Sequence, residues 1–580
     1  MYKANTRHQQ PLLISNVNQL PDKKHTQLVN SWAHDFYRDF FCRIREDSFA
    51  VLYAECPSRP NVPVNWLVGL ETLKSGFGWS DEELYDHFSF DLQVRYALGI
   101  HDLSESDFDL RSLYYFRQRL SQYNLAHGVN LLAQGFEDIT DQQIAALQLK
   151  TERQRMDSTQ IASNILDASR LQLLVEAVQR LDRNLSEADQ AHWAELLAPY
   201  RQGHSGQYVY RVKGKEATQR HLQQIGEVIH TLLTHLADAY AQTPAYQVLL
   251  RFFTDNYRLA EDQVCLKADQ ELAAGCLQSV DDLEATFRRK ANREYKGYVA
   301  NLSETCHPDN PLQLITQTQI APNNVEDADL LADGLSRLKV RTGVETLYTD
   351  GGFASPRVDA ALQSQQVEQI QTGIRGPKLD PQRLSLADFA IQWDAKGQPC
   401  QVSCPQGQSV AAHLSNHRRG YFADFEPQVC QTCPFHVAGQ CRAAPGKKRT
   451  AYRLTFLPEQ AVVAGRRRKL RTHQQSGKNY RAAVEGTVRE VKHLFPGGKL
   501  PVRGLFRVAC LIVSSAAMTN IRRIHHYFAA QRQAQRWMES QDGGPKASAS
   551  PRMGVFWTIF RWLGTLCRSQ VPLTELCFGC

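Results

Sequence analysis

Glu485 lies in the stretch Arg481-Ala-Ala-Val-Glu-Gly-Thr-Val-Arg-Glu-Val-Lys492. On a helix, Arg481 falls four residues before it and Lys492 seven after it. At about 3.6 residues per turn these three side chains project from one face. Arg489 falls on that face too, and Val484, Val488, Val491 and Phe495 form an apolar stripe opposite. One carboxylate held among permanent cations on an otherwise buried helix suits a metal-binding acid beside a polyanion such as DNA. The same spacing also suits a solvated face laced with i,i+4 ion pairs.

The charge map separates those alternatives. Residues 447–523 carry 18 Lys+Arg against 3 Asp+Glu, a net +15, in a chain whose total is +7. The rest of the chain is therefore net negative, and the cations gather around Glu485, with Arg466-Arg467-Arg468-Lys469 just upstream. Such focusing is the electrostatic footprint of phosphate-backbone binding. A disordered basic tail has the same charge, but helix-period apolar residues run through this segment and favour a folded surface.

Two further acids belong with Glu485. Residues 149–156 alternate loosely and end at Asp157-Ser-Thr, which reads as a strand delivering a carboxylate at its end. Residues 344–349 read as a second strand ending on Asp350, followed by a Gly351-Gly352 turn. Ser355 then supplies an N-cap and Pro356 a first helical residue. A helix to about Gln365 and a strand over 367–372 complete a βαβ unit. Its acid sits at the carboxyl end of a strand, where open α/β sheets bind ligands. Three converging carboxylates would bind two hard divalent cations such as Mg²⁺. Such a pair activates an attacking oxygen and stabilises the leaving oxygen of a phosphodiester, with no side-chain nucleophile.

The elements around these acids follow from composition and periodicity. A 580-residue chain with 42% apolar and 22% charged residues reads as ordinary globular protein of several structural units. Its start lacks the apolar core of a signal peptide, and no uninterrupted apolar run reaches the length of a membrane span. Residues 1–147 read as helical: Leu67, Leu70 and Leu73 lie at helical spacing, Ser80-Asp-Glu-Glu83 is a capping box, and Ser112 is placed to cap a helix with Leu113, Phe116 and Leu120. These short helices suit a reader of DNA ends and equally a plain bundle. Residues 168–283 read as a helical insertion, with Leu171, Leu174, Val175 and Val178 in phase. Strands are expected near 296–302 and 312–319, and an amphipathic helix over 327–338. The apolar run 508–518 reads as a buried helix, and the part beyond about 527 as a tail with a linker near 540–552.

Residues 375–452 are polar and rich in Gly, Pro and Cys, with a hairpin expected around Lys396-Gly397. Their sparse apolar content argues against an independent core, so a staple is expected. Cys400, Cys404, Cys430, Cys433 and Cys441, with His436 nearby, resemble a zinc ribbon. Cys404, Cys430, Cys433 and Cys441 are the favoured ligands of one structural Zn²⁺, with Cys400 or His436 as substitute. The alternative is a set of reduced, unliganded thiols in a loop.

Taken together, these segments resemble a bacterial insertion-sequence transposase of the DDE type. Residues 58–64, Phe77-Gly-Trp-Ser-Asp-Glu-Glu-Leu84 and Phe90-Asp-Leu-Gln-Val-Arg-Tyr-Ala-Leu98 resemble that family's amino-terminal domain. Asp157-Ser-Thr and Tyr348-Thr-Asp350-Gly-Gly-Phe353 resemble its first two catalytic-acid motifs. Arg481, Glu485 and Lys492 match the Arg, Glu and Lys of its Tyr-Arg-Glu-Lys signature; Lys478 stands where the Tyr is expected, and Tyr480 is nearby but out of phase. The resemblance implies an α/β fold: a ribonuclease H-like mixed sheet with flanking helices, a helical amino-terminal domain (1–147), and a catalytic domain (148–526). That domain would be interrupted by a helical insertion (168–283) and a small cysteine-rich β insertion (375–452), and followed by a tail (527–580). It implies Asp157, Asp350 and Glu485 as ligands of Mg²⁺ or Mn²⁺, and Arg481 and Lys492 as DNA contacts; Arg489, Arg503 and Arg507 join them on the basic surface. The implied reaction is hydrolysis at the 3′ end of the element, then attack of that 3′-OH on target DNA. The implied partners are transposon ends and target DNA, bound by a homodimer with no membrane, in the bacterial cytoplasm at the nucleoid. A two-metal nuclease without strand transfer is the alternative. So is a non-catalytic DNA-binding relative, against which the intact acids count.

Overall fold

The computed structural model describes residues 2–10, 14–54, 60–104, 109–261, 263–290, 292–374, 379–415, 420–446, 450–475, 480–492 and 499–542. Ser58 and Arg59 of the amino-terminal motif, Lys478, Phe495 and most of the 540–552 linker lie outside the described residues. The chain divides into two units, Met1–Tyr527 and Phe528–Cys580.

Helices occupy the amino-terminal region. Leu67, Leu70 and Leu73 are buried on the helix Val64–Phe77, which stops at Gly78 in a left-handed conformation (φ 75°) that glycine adopts without a Cβ penalty. Ser80 and Glu83 close the capping box of the helix Asp81–Phe90. The helix Leu110–His127 is capped by Asp109 and not by Ser112, which lies inside its first turn. The Asp109 carboxylate accepts from the Arg111 N–H, and aspartate is at least as good a cap as serine. Arg117, on this helix, turns inward to Glu71 at 2.5 Å and Asp81 at 2.7 Å.

The central sheet begins with β1 (Arg153–Ala162). Helices then run from Arg170 to Asn256 and bury Leu171, Leu174, Val175 and Val178 with Ile225, Ile229, Leu249 and Phe252 in a core of their own. They end in a hairpin of β2 (Tyr257–Ala260) and β3 (Gln263–Leu266). The sheet resumes with β4 (Thr286–Lys290), β5 (Arg293–Thr305) and β6 (Ile315–Pro322). The helix Asp327–Thr342 leads to β7 (Thr346–Thr349), and the helix Pro356–Gln365 leads to β8 (Glu368–Gln371). Strand order is β4-β5-β1-β7-β8, with β6 also on β5. β5 is antiparallel to β1, β4 and β6, whereas β1, β7 and β8 are parallel. The result is a mixed α/β sheet with helices about it.

β1 differs from its sequence reading. It starts at Arg153, and Asp157 sits at mid-strand, not at its end. Gln154, Arg155, Met156 and Asp157 are all buried, so both faces are covered and the alternation that marks a half-exposed strand is missing.

The cysteine-bearing region is a second sheet of β9 (Ala390–Trp393), β10 (Pro399–Ser403), β11 (Ser409–Leu414), β12 (Tyr421–Phe425), β13 (Ala444–Pro445) and β14 (Tyr452–Phe456). Its order is β13-β14-β12-β11-β10-β9. The hairpin around Lys396-Gly397 is β9–β10. The expectation that this segment lacks a core is corrected. Phe389, Val402, Phe425, Leu454 and Phe456 are buried together, joined by Ala461 and Ala464 of the helix Pro458–Gln475. Alternate residues of β12 and β14 supply one apolar face each; because those strands lie far apart in sequence, the apolar density of any one window stays low.

The apolar run 508–518 belongs to a much longer helix, Leu505–Asp542. Its part Leu505–Met538 is long and apolar enough to cross a membrane by length and composition, but 67% of its most apolar window is buried within the protein, as expected of a buried helix over 508–518.

Candidate active site

β1 and β7 run in parallel, with Arg155 opposite Tyr348. Two residues further along stand Asp157, within β1, and Asp350, the first residue past β7, so the register sets the two acids at the same level of adjacent strands. Asp157 accepts from the Ser158 N–H at 3.0 Å. Asp350 caps the turn Gly351–Phe353 and accepts from the Gly352 N–H at 2.7 Å.

The helix that carries Glu485 is Val484–Lys492, so Arg481 lies in the turn before it. Val484, Thr487 and Val491 form its buried face. Glu485 stands at the edge of that face with its side chain 70% exposed. The Arg481 guanidinium reaches all three acids: Asp157 at 3.1 Å, Asp350 at 4.0 Å and Glu485 at 3.9 Å. Burial raises the Asp157 pKa, Arg481 opposes that rise, and Asp350 adds to it. Asp157 of β1, Asp350 just past β7 and Glu485 of the helix thus each lie within 4.0 Å of one guanidinium, although among the described residues no three acids are themselves gathered closely enough to hold a metal ion. Their donor set is oxygen only, as hard divalent ions require.

The other cations divide into tied and exposed. Lys492 turns to β1 and donates to Thr159 Oγ1 at 3.0 Å and to the Gln160 carbonyl at 2.6 Å, and burial lowers its pKa. Arg503 donates to the Asn164 carbonyl at 2.7 Å and pairs with Asp281 at 2.8 Å. Arg489 and Arg507 are exposed. Upstream, Arg466 pairs with Asp359, Lys469 with Glu368 and Arg471 with Asp388, and Arg468 donates to the carbonyls of Ala387 and Phe389. Much of the formal charge upstream of Glu485 therefore clamps the helix Pro458–Gln475 to its neighbours.

In the second sheet, Cys404 ends β10, Cys430 lies in the helix Pro427–Gln431, and Cys433 and Cys441 follow. Cys404, Cys430 and Cys441 pack on the same core. The Cys430 thiol is pushed up to about 11, by burial first and then by Cys441, Cys404 and Cys433. Cys400 is exposed and donates to the Gln392 carbonyl, and the His436 ring lies edge-on to Tyr452. Among the described residues no group of three or more His, Cys, Asp or Glu side chains is gathered closely enough to hold a metal ion.

Glu304 and the three residues that donate to it, Arg155, Thr487 and Arg523, escaped the sequence reading. Each lies on a separate element, so no spacing links them; the one local signal is a glutamate inside the strand-like run Tyr298-Val-Ala-Asn-Leu-Ser-Glu-Thr305.

Residues 403–525 match a family model described as a transposase DDE domain. The match takes in Arg481, Glu485 and Lys492; Asp157 and Asp350 lie before it. No curated protein and no solved structure matches the chain.

Proposed function

We propose that this chain, which carries a transposase DDE domain, is a bacterial insertion-sequence transposase. It binds the ends of its element, cleaves them by two-metal phosphodiester hydrolysis and joins the 3′ end to target DNA. The observation that carries this reading is the meeting of Asp157, Asp350 and Glu485 around the Arg481 guanidinium. A cation already lies within 4.0 Å of each of those acids. The mixed sheet, with β5 reversed against the parallel β1, β7 and β8, supports a ribonuclease H-like core.

Asp157, Asp350 and Glu485 would hold the Mg²⁺ or Mn²⁺ ions. When bound, these would activate the attacking oxygen and stabilise the leaving one. The protein's own work is placement. The pairing of β1 with β7 sets Asp157 level with Asp350, and Lys492 ties the far end of the Glu485 helix to β1. Arg481 balances the acids and is placed to meet a phosphate oxygen entering among them. Arg489 and Arg507 extend the contact along the DNA backbone, with Arg503 and Lys492 as further candidates. Holding the scissile phosphate in line is an entropic contribution that needs no protein nucleophile. The helices before β1 are assigned to end binding and the helical and cysteine-rich regions to insertions. Paired ends make a homodimer the natural assembly. Cys404, Cys430, Cys433 and Cys441 are assigned one structural Zn²⁺, with Cys400 or His436 as substitute; four thiolates leave no open position for catalysis.

The test is strand transfer. Purified protein with Mg²⁺ should join a labelled 3′ end of its own element to unlabelled target DNA. Cleavage without joining would reduce the reading to a two-metal nuclease. Binding without either would leave a non-catalytic relative.

A further inference from the structure

Glu304 stands next to the carboxyl end of β5, opposite Arg155 of β1, with its side chain fully enclosed. Oε1 accepts from Arg155 Nε at 2.6 Å. Oε2 accepts from Thr487 Oγ1 at 2.7 Å and from Arg523 Nη1 at 2.6 Å. These donors come from three elements: β1 two residues before Asp157, the Glu485 helix two residues after Glu485, and the long helix Leu505–Asp542.

The links continue outward. Arg155 Nη1 donates to the Tyr480 carbonyl at 2.8 Å, immediately ahead of Arg481. Arg523 Nη2 donates to Thr487 Oγ1 at 2.5 Å and to Glu490 Oε2 at 2.9 Å. The Thr487 hydroxyl therefore accepts from Arg523 and gives its single proton to Glu304. Thr487 is buried, and the Arg155 and Arg523 side chains are largely so.

A buried carboxylate between two guanidiniums is a costly way to fill a core, because apolar residues of equal volume would hold the layers as well. Directed hydrogen bonds add registry. The helix Val484–Lys492 has nine residues, and its fully buried apolar anchors are Val484 and Val491. A slip of one residue turns a helix by about 100° and would carry Glu485 away from the Arg481 guanidinium, which lies 3.9 Å from it.

We propose that Glu304 is the positioning carboxylate of this site. Through Thr487 and Arg523 it fixes the rotation and height of the Glu485 helix on the sheet, and through Arg155 it fixes the turn that bears Arg481. The proposal rests on the reading of Glu485 as a metal-binding acid.

Full-length Thr487→Val, Thr487→Ser and Glu304→Gln proteins test it with two readouts. Hydrogen exchange of amides 484–492 reports the seating of the helix and needs no metal. Mn²⁺ binding without DNA reports the consequence for the acids. Thr487→Val keeps the shape and loses the hydroxyl. It should speed exchange in 484–492, spare β1, and weaken Mn²⁺ binding by about 10–100-fold, the usual effect of losing a residue that orients metal ligands. Thr487→Ser should restore both, and Glu304→Gln should follow Thr487→Val. If Glu304→Gln does not fold, the Thr487 pair still decides. Wild-type exchange in Thr487→Val, or faster exchange with unchanged Mn²⁺ affinity, overturns the proposal. If the wild-type protein binds no Mn²⁺, the metal reading of Glu485 fails instead, and exchange alone decides whether Glu304 seats the helix.

Discussion

Removing Arg481 should make the protein bind a divalent ion more tightly. Its guanidinium lies 3.1 Å from Asp157, with only 18% and 12% of the two side chains exposed. Asp350 at 4.0 Å adds to the attraction, whereas Glu485 at 3.9 Å is 70% exposed and adds little. Opposite charges at such distances attract by about 4 kcal/mol at an effective dielectric near 20. Breaking a fully buried pair costs about 3–5 kcal/mol. This pair is partly open, so we assign it about 2 kcal/mol. A metal ion entering among the acids has to displace the guanidinium and bears that cost. In Arg481→Ala the cost is gone, and Mn²⁺ affinity without DNA should rise about 30-fold, since each 1.4 kcal/mol is tenfold. The same variant should bind DNA more weakly, with a salt slope smaller by about one. Calorimetric titration of Mn²⁺ into both proteins measures the effect. Equal or weaker Mn²⁺ binding by Arg481→Ala would show that the guanidinium does not compete for the acids.

Burial alone would raise the pKa of Asp81, but Arg117 and Lys74 hold it down to about 2. A folded pKa below the unfolded value of 3.8 stabilises above that value, and the stabilisation is lost as pH falls through about 2. Asp81→Asn should therefore cost about 2 kcal/mol near neutral pH, read as faster hydrogen exchange in Asp81–Phe90 and Leu110–His127; unchanged exchange would contradict the pairing. Purified protein should carry about one zinc per chain, and Cys430→Ser should remove it; less than half an equivalent, unaffected by that change, would leave ordinary thiols. Replacing exposed Arg489 and Arg507 together by Ala should lower the salt slope of DNA binding by about two, whereas Arg468→Ala should leave it unchanged because Arg468 is spent on the carbonyls of Ala387 and Phe389. An intact slope in the double variant would take both arginines off the DNA face.

What was legible in the sequence was local. The strand ending at Asp350, its glycine turn, the Ser355–Pro356 start of the next helix and the capping box at Ser80 are each written within a few residues, and each forms as read. The strand through Asp157 was misplaced because both of its faces are covered, by elements remote in sequence. The core of the second sheet was missed because β12 and β14 meet across about thirty residues, with half of each strand facing outward. The basic run 466–469 looked like a DNA surface because charge counts do not reveal partners; Asp359 and Glu368, about a hundred residues away, complete two of those pairs. Glu304 shows the same limit, since its significance lies wholly in Arg155, Thr487 and Arg523 reaching it from other elements.

The central claim is that Asp157, Asp350 and Glu485 form one metal-dependent site for DNA cleavage. Asp350→Ala tests it most directly, because Asp350 leaves β7 at the level of Asp157 and faces the same guanidinium. With the DNA ends of its own element and Mg²⁺, the variant should bind DNA about as well as the wild-type protein and cleave none of it. Cleavage by Asp350→Ala at the wild-type rate would contradict the account.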